Sequence, residues 1–254
     1  MQKIFLLVGS LLVFTICLQA QNRQSTNEGR ALLLDFHYGA AVPGGDLKDR
    51  FGHNFDAGAG IEWMLNDANW ILGVGGGILF GNKLKEDVLA NIRTPEGQII
   101  SSNGSWAQIV LRERGFHVEG RIGKLIPLMK DNHRSGLRLV LGIGFLQHKI
   151  RVQDDPQAFV PQIAGAYRKG YDRLTNGWML SQFVGYQHLA KNRLINFYAG
   201  FEFKQAFTRN RRDWDFLSEA ASDKNLRKDL MWGLKVGWIL PFYISKAYAE
   251  NIQY

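Results

Sequence analysis

The sequence predicts an all-β fold, an eight-stranded antiparallel up-and-down transmembrane β-barrel. Between residues 31 and 243, eight segments of about ten residues alternate between polar and apolar side chains, and the connections between them are alternately long and short. This pattern is typical of membrane barrels. No stretch after residue 20 stays apolar over the ~18 residues that a spanning helix needs. A bilayer core offers the backbone no water, so a chain without such a helix can cross it only as a closed barrel.

The strands follow in chain order from the alternating segments and the turn residues between them. They are expected at about 32–42, 54–65, 70–80, 115–126, 137–152, 178–189, 194–207 and 230–241. Pro43-Gly44-Gly45-Asp46 should end the first strand, because proline lacks a ladder donor and glycine favours turns. The sixth segment mixes polar and apolar residues on both faces, so its orientation is left open.

Each other strand has one apolar face that should contact lipid. These faces include, in chain order, Phe36 and Tyr38, Ile61 and Trp63, Val74 and Ile78, Val118 and Ile122, Leu141 and Ile143, Phe201 and Phe203, and Val236 and Trp238. A soluble antiparallel barrel shares the alternation, but its outer face would be polar. Many of the 28 glycines lie within the strands, where they would relieve crowding in a narrow interior.

The connections set the orientation of the barrel. Bacterial outer-membrane barrels have short periplasmic turns and longer external loops. The external loops are therefore expected at about 43–53, 81–114, 153–177 and 208–228, with short turns at 66–69, 130–136 and 191–192. Aromatic residues should form a girdle at each interface. They are Trp63, Trp70, Trp238, Phe242 and Tyr243 on the periplasmic side, and Phe80, Phe145, Trp178 and Trp232 on the outer side.

The first twenty residues predict export. Lys3 precedes an apolar stretch over 4–16, and Leu18-Gln19-Ala20 precedes Gln21, which indicates a Sec signal peptide cleaved after about Ala20. Residues 21–254 would then form one outer-membrane barrel domain. A lipid-modified Cys17 is the alternative, although Phe14-Thr15-Ile16 lacks the small residue expected before such a cysteine. Cleavage after Ala20 would remove the only cysteine, and with it any disulfide or cysteine metal site.

The formal net charge of +8 does not indicate nucleic acid in this setting, because the cations are scattered. Local clusters lie at Arg209, Arg211 and Arg212, and at Arg227 and Lys228. In an exported protein, basic loops are more consistent with anionic lipid headgroups. The expected partners are outer-membrane lipid, lipopolysaccharide and other envelope proteins, with no nucleic acid.

The inward faces predict a polar network in the lumen. An eight-stranded barrel has an interior just wide enough for side chains to fill. Five carboxylates, four cations and two histidines would share this space, and unpaired charge there would be costly. The alternative, a narrow pore or proton path, needs a continuous water column. The predicted network comprises Asp35, His37, Asp56, Glu62, His117, Glu119, Arg121, Arg138, Glu202, Lys204 and Lys235.

Catalysis and metal binding have weak signals. Some small outer-membrane barrels modify lipid with a Ser, His and carboxylate set, and a Ser–His pair within hydrogen-bond reach on the lipid-facing side would favour that function. Ser181 and His188 are seven residues apart on one strand, or roughly 23 Å. Asp154-Asp155 and the pair Asp213 and Asp215 suit solvated loop acids better than metal ligands. No enzyme activity, cofactor or metal is expected.

The third external loop is the candidate partner-binding segment. It combines aromatic and cationic residues, the types that carry protein interfaces, in Phe159, Tyr167, Tyr171 and Arg173. Equally, the loop could fold over the barrel mouth and bury its own aromatic side chains.

Three motifs stand out beyond the strand alternation. The most distinctive is Val42-Pro43-Gly44-Gly45-Asp46-Leu47 followed by Arg50-Phe51-Gly52, and the stretches 170–177 and 233–241 have similar glycine and aromatic patterns. With these motifs the chain resembles the small outer-membrane β-barrel proteins of Bacteroidetes, grouped as outer-membrane β-barrel or PorT-like families. The resemblance implies a non-enzymatic accessory or scaffold subunit of an envelope machine for secretion, gliding motility or barrel assembly. It supplies no catalytic residues.

Overall fold

In the computed structural model of the chain, the described residues are Asn27, 29–65, 69–192 and 194–244. The predicted signal peptide, its cleavage site and Cys17 lie outside these residues. Eight strands form a closed antiparallel barrel in which the last strand pairs with the first. They are β1 (Arg30–Gly45), β2 (Asn54–Met64), β3 (Trp70–Gly81), β4 (Val110–Met129), β5 (Asn132–Gln153), β6 (Thr175–Leu189), β7 (Asn196–Asn210) and β8 (Arg227–Ile244). The predicted fold class is confirmed.

Most of the strands are longer than predicted, and two of the extensions occupy residues that were predicted as a turn or loop. The predicted turn over 130–136 is a two-residue turn at Lys130 and Asp131, because β4 and β5 continue past a register shift between Pro127 and Met129. β1 also continues through Pro43 to Gly45. It pairs with β2 only as far as Ala41, so Pro43 has a strand neighbour on one side alone, and an edge position tolerates proline.

The outer surface of the barrel is apolar. Val74, Leu141 and Phe201 are 60%, 60% and 71% exposed, and the residues that alternate with them point into the barrel. A band of this kind is unfavourable in water and suits the hydrocarbon core of a bilayer. Trp63, Trp70 and Trp238 lie towards the end with the short turns, called here the short-turn end, and Trp178 and Trp232 towards the opposite, long-loop end. Within the described ranges, no helix has the length and apolar character to cross a membrane.

The interior has three layers: an apolar layer at the short-turn end, a polar centre, and a second apolar cluster at the long-loop end. At the short-turn end, an apolar layer is built from Leu33, Ile71, Leu125, Phe183 and other buried side chains. Polar and charged residues fill the centre. A polar lumen was predicted from the sequence, but the apolar layer, to which Phe183 and Leu189 of β6 belong, was not. Met179, Ser181 and Phe183 are buried and Trp178 and Val184 are exposed, which settles the orientation of that strand.

Four loops close the long-loop end and are called here the cap: 46–53, 82–109, 154–174 and 211–226. The cap contains a one-turn helix α1 (Leu47–Arg50), short 3-10 helices and two small hairpins. Phe51, Leu89, Ile163 and Tyr171 are buried in one apolar cluster. That cluster continues into the barrel through Leu146, Ile150, Met179 and other inward side chains. The cap therefore shares its core with the barrel.

Candidate functional site: the barrel interior and the cap

The eleven residues predicted for the lumen all lie inside the barrel. All are buried except Glu202, which is partly buried. Their positions follow from the alternation of each strand, since every second residue of the eight strands points inward. The structure joins them into two groups, one around Arg121 and Arg138 and one around Asp56.

Arg121 is the centre of the first group. Its Nε donates to Glu119 at 2.7 Å, and its Nη1 lies 3.2 Å from Asp35 and 3.4 Å from Glu62. These contacts connect β4 to β1 and β2 across the lumen. A guanidinium suits this position because it stays charged and presents several donors in one plane.

Arg138 extends this group towards the short-turn end. Its Nη2 lies 2.6 Å from both oxygens of Glu62, and its Nη1 donates to Gln187 at 2.5 Å. The guanidinium carbon also lies 4.8 Å from the centre of the Tyr198 ring. The Tyr198 hydroxyl in turn donates to Asp35 at 3.1 Å. The first group therefore links β1, β2, β4, β5, β6 and β7.

The second group surrounds Asp56. Its Oδ2 contacts the Lys204 ammonium and lies 2.9 Å from His117 Nε2. Lys204 also forms an ion pair with Glu202 at 3.1 Å. Glu202 then accepts from Lys235 at 2.7 Å. Carboxylates and ammonium groups alternate along this path, so each buried charge has an opposite neighbour.

Glycines make room for the network. A Cβ atom at Gly75 would overlap the guanidinium of Arg121, and one at Gly60 would overlap the carboxylate of Asp35. Both glycines occupy inward positions of their strands. The predicted role of glycine as relief from crowding is seen directly at these two positions.

His37, Asp56 and His117 offer ligand atoms within 4.8 Å of one another, a geometry that could hold a metal ion. His37 Nε2, Asp56 Oδ1 and His117 Nδ1 have no hydrogen-bond partner among the described residues. However, the Lys204 ammonium already contacts Asp56 and lies 3.2 Å from His117 Nε2. A metal ion would have to displace this buried cation, so the geometry favours an internal ion pair.

A further polar cluster at the long-loop end was missed. His148 Nε2 lies 2.9 Å from Asp229, which also accepts from Thr208 at 2.5 Å. Glu113 is buried beside Asn54, whose Nδ2 lies 3.5 Å from Glu113 Oε1. Glu113 and Asp229 lie just before the predicted starts of their strands. Extending the same inward alternation by one step would have placed both in the lumen.

Arg50 of α1 joins this cluster from the cap. It donates to Thr175 at 3.0 Å and lies 3.7 Å from Glu86. Burial lowers the pKa of Arg50 to about 10, which still leaves it charged at neutral pH. It anchors the first loop to β6.

The structure brings one serine and one histidine together, but not the pair considered from the sequence. Ser135 Oγ lies 3.1 Å from His188 Nδ1 at the short-turn end. Ser135 is completely buried, and its oxygen already accepts from Asn132 Nδ2 at 2.9 Å and from the backbone of Leu189 at 3.2 Å. Both donors withdraw charge from the oxygen, and burial keeps a substrate away from it. The geometry fits a structural contact between the ends of β5 and β6 better than a nucleophile.

The sequence left open whether the third loop exposes its aromatic side chains or buries them over the barrel mouth. The structure shows both: two are exposed and one is buried. Phe159 and Tyr167 are 62% and 63% exposed. Tyr171 is buried and packs against Phe216 with ring centres 5.3 Å apart, so its prediction as a partner-binding residue was wrong. Burial raises the pKa of the Tyr171 hydroxyl.

Arg173, also predicted to bind a partner, makes its contacts in the structure within the cap. It forms ion pairs with Glu86 at 2.8 Å and Asp215 at 2.5 Å, which join the second, third and fourth loops. Nearby, Arg212 forms two hydrogen bonds with Asp172, at 2.7 and 2.5 Å. The hydrogen bonding to Asp172 raises the pKa of Arg212. Arg173 and Arg212 therefore stabilise the contacts between loops of the cap.

The exposed aromatic residues of the cap are Trp106, Phe159, Tyr167 and Trp214, called here the aromatic cap surface. They come from three different loops. The loops contact one another through a hydrogen bond from Ser102 N to Phe159 O at 2.8 Å and through packing of Tyr167 against Phe216. Only Phe159 and Tyr167 were singled out from the sequence, because Trp106 and Trp214 stand alone in polar stretches.

Comparisons with known proteins leave the family open. No family model and no curated protein matches the chain. Among solved structures, the chain is similar to Ail, the attachment invasion locus protein of Yersinia pestis, in complex with the heparin analogue sucrose octasulfate. The identity is 11%, with 85% of this chain and 99% of that chain covered and a TM-score of 0.35. It is also similar to the N-terminal β-barrel domain of Pseudomonas aeruginosa OprF, at 13% identity, 84% and 97% coverage and a TM-score of 0.36. Likenesses this distant carry no argument about function.

Proposed function

We propose that this protein is a non-enzymatic barrel of the bacterial outer membrane, exported through its signal peptide, with the long-loop end outside the cell. It acts as an accessory or scaffold subunit of an envelope machine, of the kind used in secretion, gliding motility or barrel assembly. The aromatic cap surface carries this proposal. Exposed aromatic side chains on a well-packed support are typical of protein interfaces.

The support under this surface is rigid for identifiable reasons. The ion pairs of Arg173 join three loops, and a backbone bond from Ile150 to Asp172, at 2.7 Å, ties the third loop to β5. An interface that is already ordered loses less conformational entropy when a partner binds. The cap therefore suits a docking platform.

The interior supports a structural role over transport. Two cavities lined by lumen residues hold about 20 Å³ each, room for about one water molecule. The apolar layer and the cap cover the polar centre from both ends. A narrow pore would need continuous water through these layers.

Affinity purification from solubilised envelopes tests the proposal. The tagged native protein should recover other envelope proteins, and a W106S/F159S/Y167S variant should lose them. L226S is a matched control, because Leu226 is also an exposed large apolar residue of the cap. Recovery of the barrel alone, or equal recovery by the triple variant and the control, would contradict the scaffold role.

A lipid-modifying enzyme is the second candidate, favoured only by the Ser135–His188 contact. Mass spectrometry of membrane lipid from cells that carry wild type or S135A distinguishes the two. We expect identical lipid profiles. A lipid species that disappears in S135A, while the variant still folds, would establish the enzyme instead.

A further inference from the structure

Four cations face outward on β4 and β5 and are called here the cationic ladder: Arg112, Arg114, Lys149 and Arg151. The strand register places Arg112 directly opposite Arg151, and Arg114 directly opposite Lys149. Like charges in directly paired positions repel one another and destabilise a sheet. Within the described residues, none of the four forms an ion pair with a carboxylate, and Arg112 Nε is buried without a hydrogen-bond partner. Arg114 Nη1 donates to the backbone oxygen of Glu113 at 2.7 Å, so the protein itself offsets the repulsion only in part.

The ladder opens into a recess of about 350 Å³ beside the third loop. Arg114, Lys149 and Arg151 line one side, and Arg168 and Asp172 of the loop line the other. Asp172 is already paired with Arg212, and the exposed Arg168 with Asp154 at 2.9 Å. The recess is therefore concave and strongly cationic, with room for a phosphorylated sugar.

The position of the ladder relative to the membrane decides its ligand. Phe116 and Phe145 lie next to each other on the outer face of the same two strands, with ring centres 6.1 Å apart, and mark the interface. Arg114 precedes Phe116 by two residues on β4 and lies roughly 7 Å nearer the long-loop end. This step brings the ladder to the level of the lipid headgroups.

We propose that the cationic ladder binds the phosphate groups of a phosphorylated glycolipid in the outer leaflet. A polyanion at this place would bridge the opposed cations and convert their repulsion into charge-assisted hydrogen bonds, for which arginine is well suited. The inference rests on the proposed place of the barrel in the outer membrane. It does not depend on the scaffold role, since the aromatic cap surface is formed by other residues.

Native mass spectrometry of the mature, full-length protein in neutral detergent tests the site. The probes are lipid A bisphosphate, the same lipid A without phosphates, and inorganic pyrophosphate. The R114Q/R151Q variant removes one cation from each opposed pair. K48Q/K83Q is the matched control, because it removes the same charge from two exposed positions of the cap that lie outside the ladder and its recess.

Wild type should bind lipid A bisphosphate, and R114Q/R151Q should bind it at least about tenfold more weakly, whereas the control should stay within about twofold. Equal binding by R114Q/R151Q and the control would overturn the site. Equal binding of dephosphorylated lipid A would show that phosphate is not recognised. Equally tight binding of pyrophosphate would indicate a site for free anions and overturn the glycolipid assignment.

Thermal unfolding gives a second readout that also confirms folding. Without lipid, R114Q/R151Q should be as stable as wild type or more stable, because a repulsion is removed. With lipid A bisphosphate, wild type should gain more stability than the variant. A variant that is less stable in both conditions would show a purely structural role. Affinity purification with R114Q/R151Q should still recover the partners of wild type, which separates failure of this site from failure of the scaffold role.

Discussion

Arg138 Nη2 lies 2.6 Å from both carboxylate oxygens of Glu62, across the lumen from β5 to β2. Both side chains are buried, and the same carboxylate also lies near Arg121. Removing one member of such a pair leaves the other as an uncompensated buried charge, whereas replacing both with apolar residues can be nearly neutral.

Glu62→Ala should therefore lower the free energy of unfolding by about 3–5 kcal/mol. The double variant E62L/R138M should lose much less than E62A and R138A together, because neither charge remains. Chemical denaturation in lipid vesicles, followed by tryptophan fluorescence, measures both effects. A double variant as unstable as the sum of the single variants would refute this account of the pair.

Gly75→Ala should disturb the network, because its Cβ atom would overlap the guanidinium of Arg121. We expect a loss of about 1–3 kcal/mol, the usual cost of overpacking. Gly120→Ala is the matched control. It lies on β4, where the only heavy atom near an added Cβ is Ile143 O at 3.9 Å, and its stability should stay close to that of wild type.

Arg173→Ala should loosen the cap, because this side chain joins Glu86 and Asp215 from two other loops. Limited proteolysis should then cut the third loop faster than in wild type. Arg168→Ala is the comparison: it removes an exposed ion pair with Asp154 and a hydrogen bond to the backbone of Ile163, both within the third loop, and exposed pairs contribute about 0–1 kcal/mol. If the third loop were cleaved at the same rate in the two variants, Arg173 would not be what holds the loops together.

Planar-bilayer recordings should show no conductance steps for the wild-type protein. The physical reason is the stacking of an apolar layer, a paired polar centre and the cap along the barrel axis. Stable conductance steps above noise, from protein that migrates in gels as a folded barrel, would support the narrow pore as the function instead.

The central network could be placed from sequence because strand alternation has a period of two. Once Phe36 and Trp63 are assigned to the outer face, Asp35 and Glu62 must point inward. The pairing within the network could not be predicted, because it depends on the register around the whole ring. Arg121 meets Asp35 across 86 residues of sequence, and no local pattern encodes that distance.

Ends of strands and loops were harder to predict. Pro43 and Gly44 have turn-forming character, yet β8 continues alongside them and keeps them extended. The third loop has no periodicity to separate Tyr167 from Tyr171. Both side chains pack against Phe216 of a different loop, yet Tyr171 is buried and Tyr167 is exposed, a difference set by the tertiary packing of the cap. Ser135 and His188 meet for a similar reason, since they lie one step beyond the paired Gly136 and Gln187.

Asp35 also bears on how the barrel assembles. It lies on β1, whose strand neighbours are β2 and β8, but its bonds go to Tyr198 on β7 and Arg121 on β4. These two bonds therefore connect strands that are not neighbours in the sheet. An open sheet would hold these charges unpaired at the edge of the lipid, so insertion with a missing or misplaced strand is opposed electrostatically. The network therefore favours the closed barrel with its strands in the correct order over an open or misordered sheet.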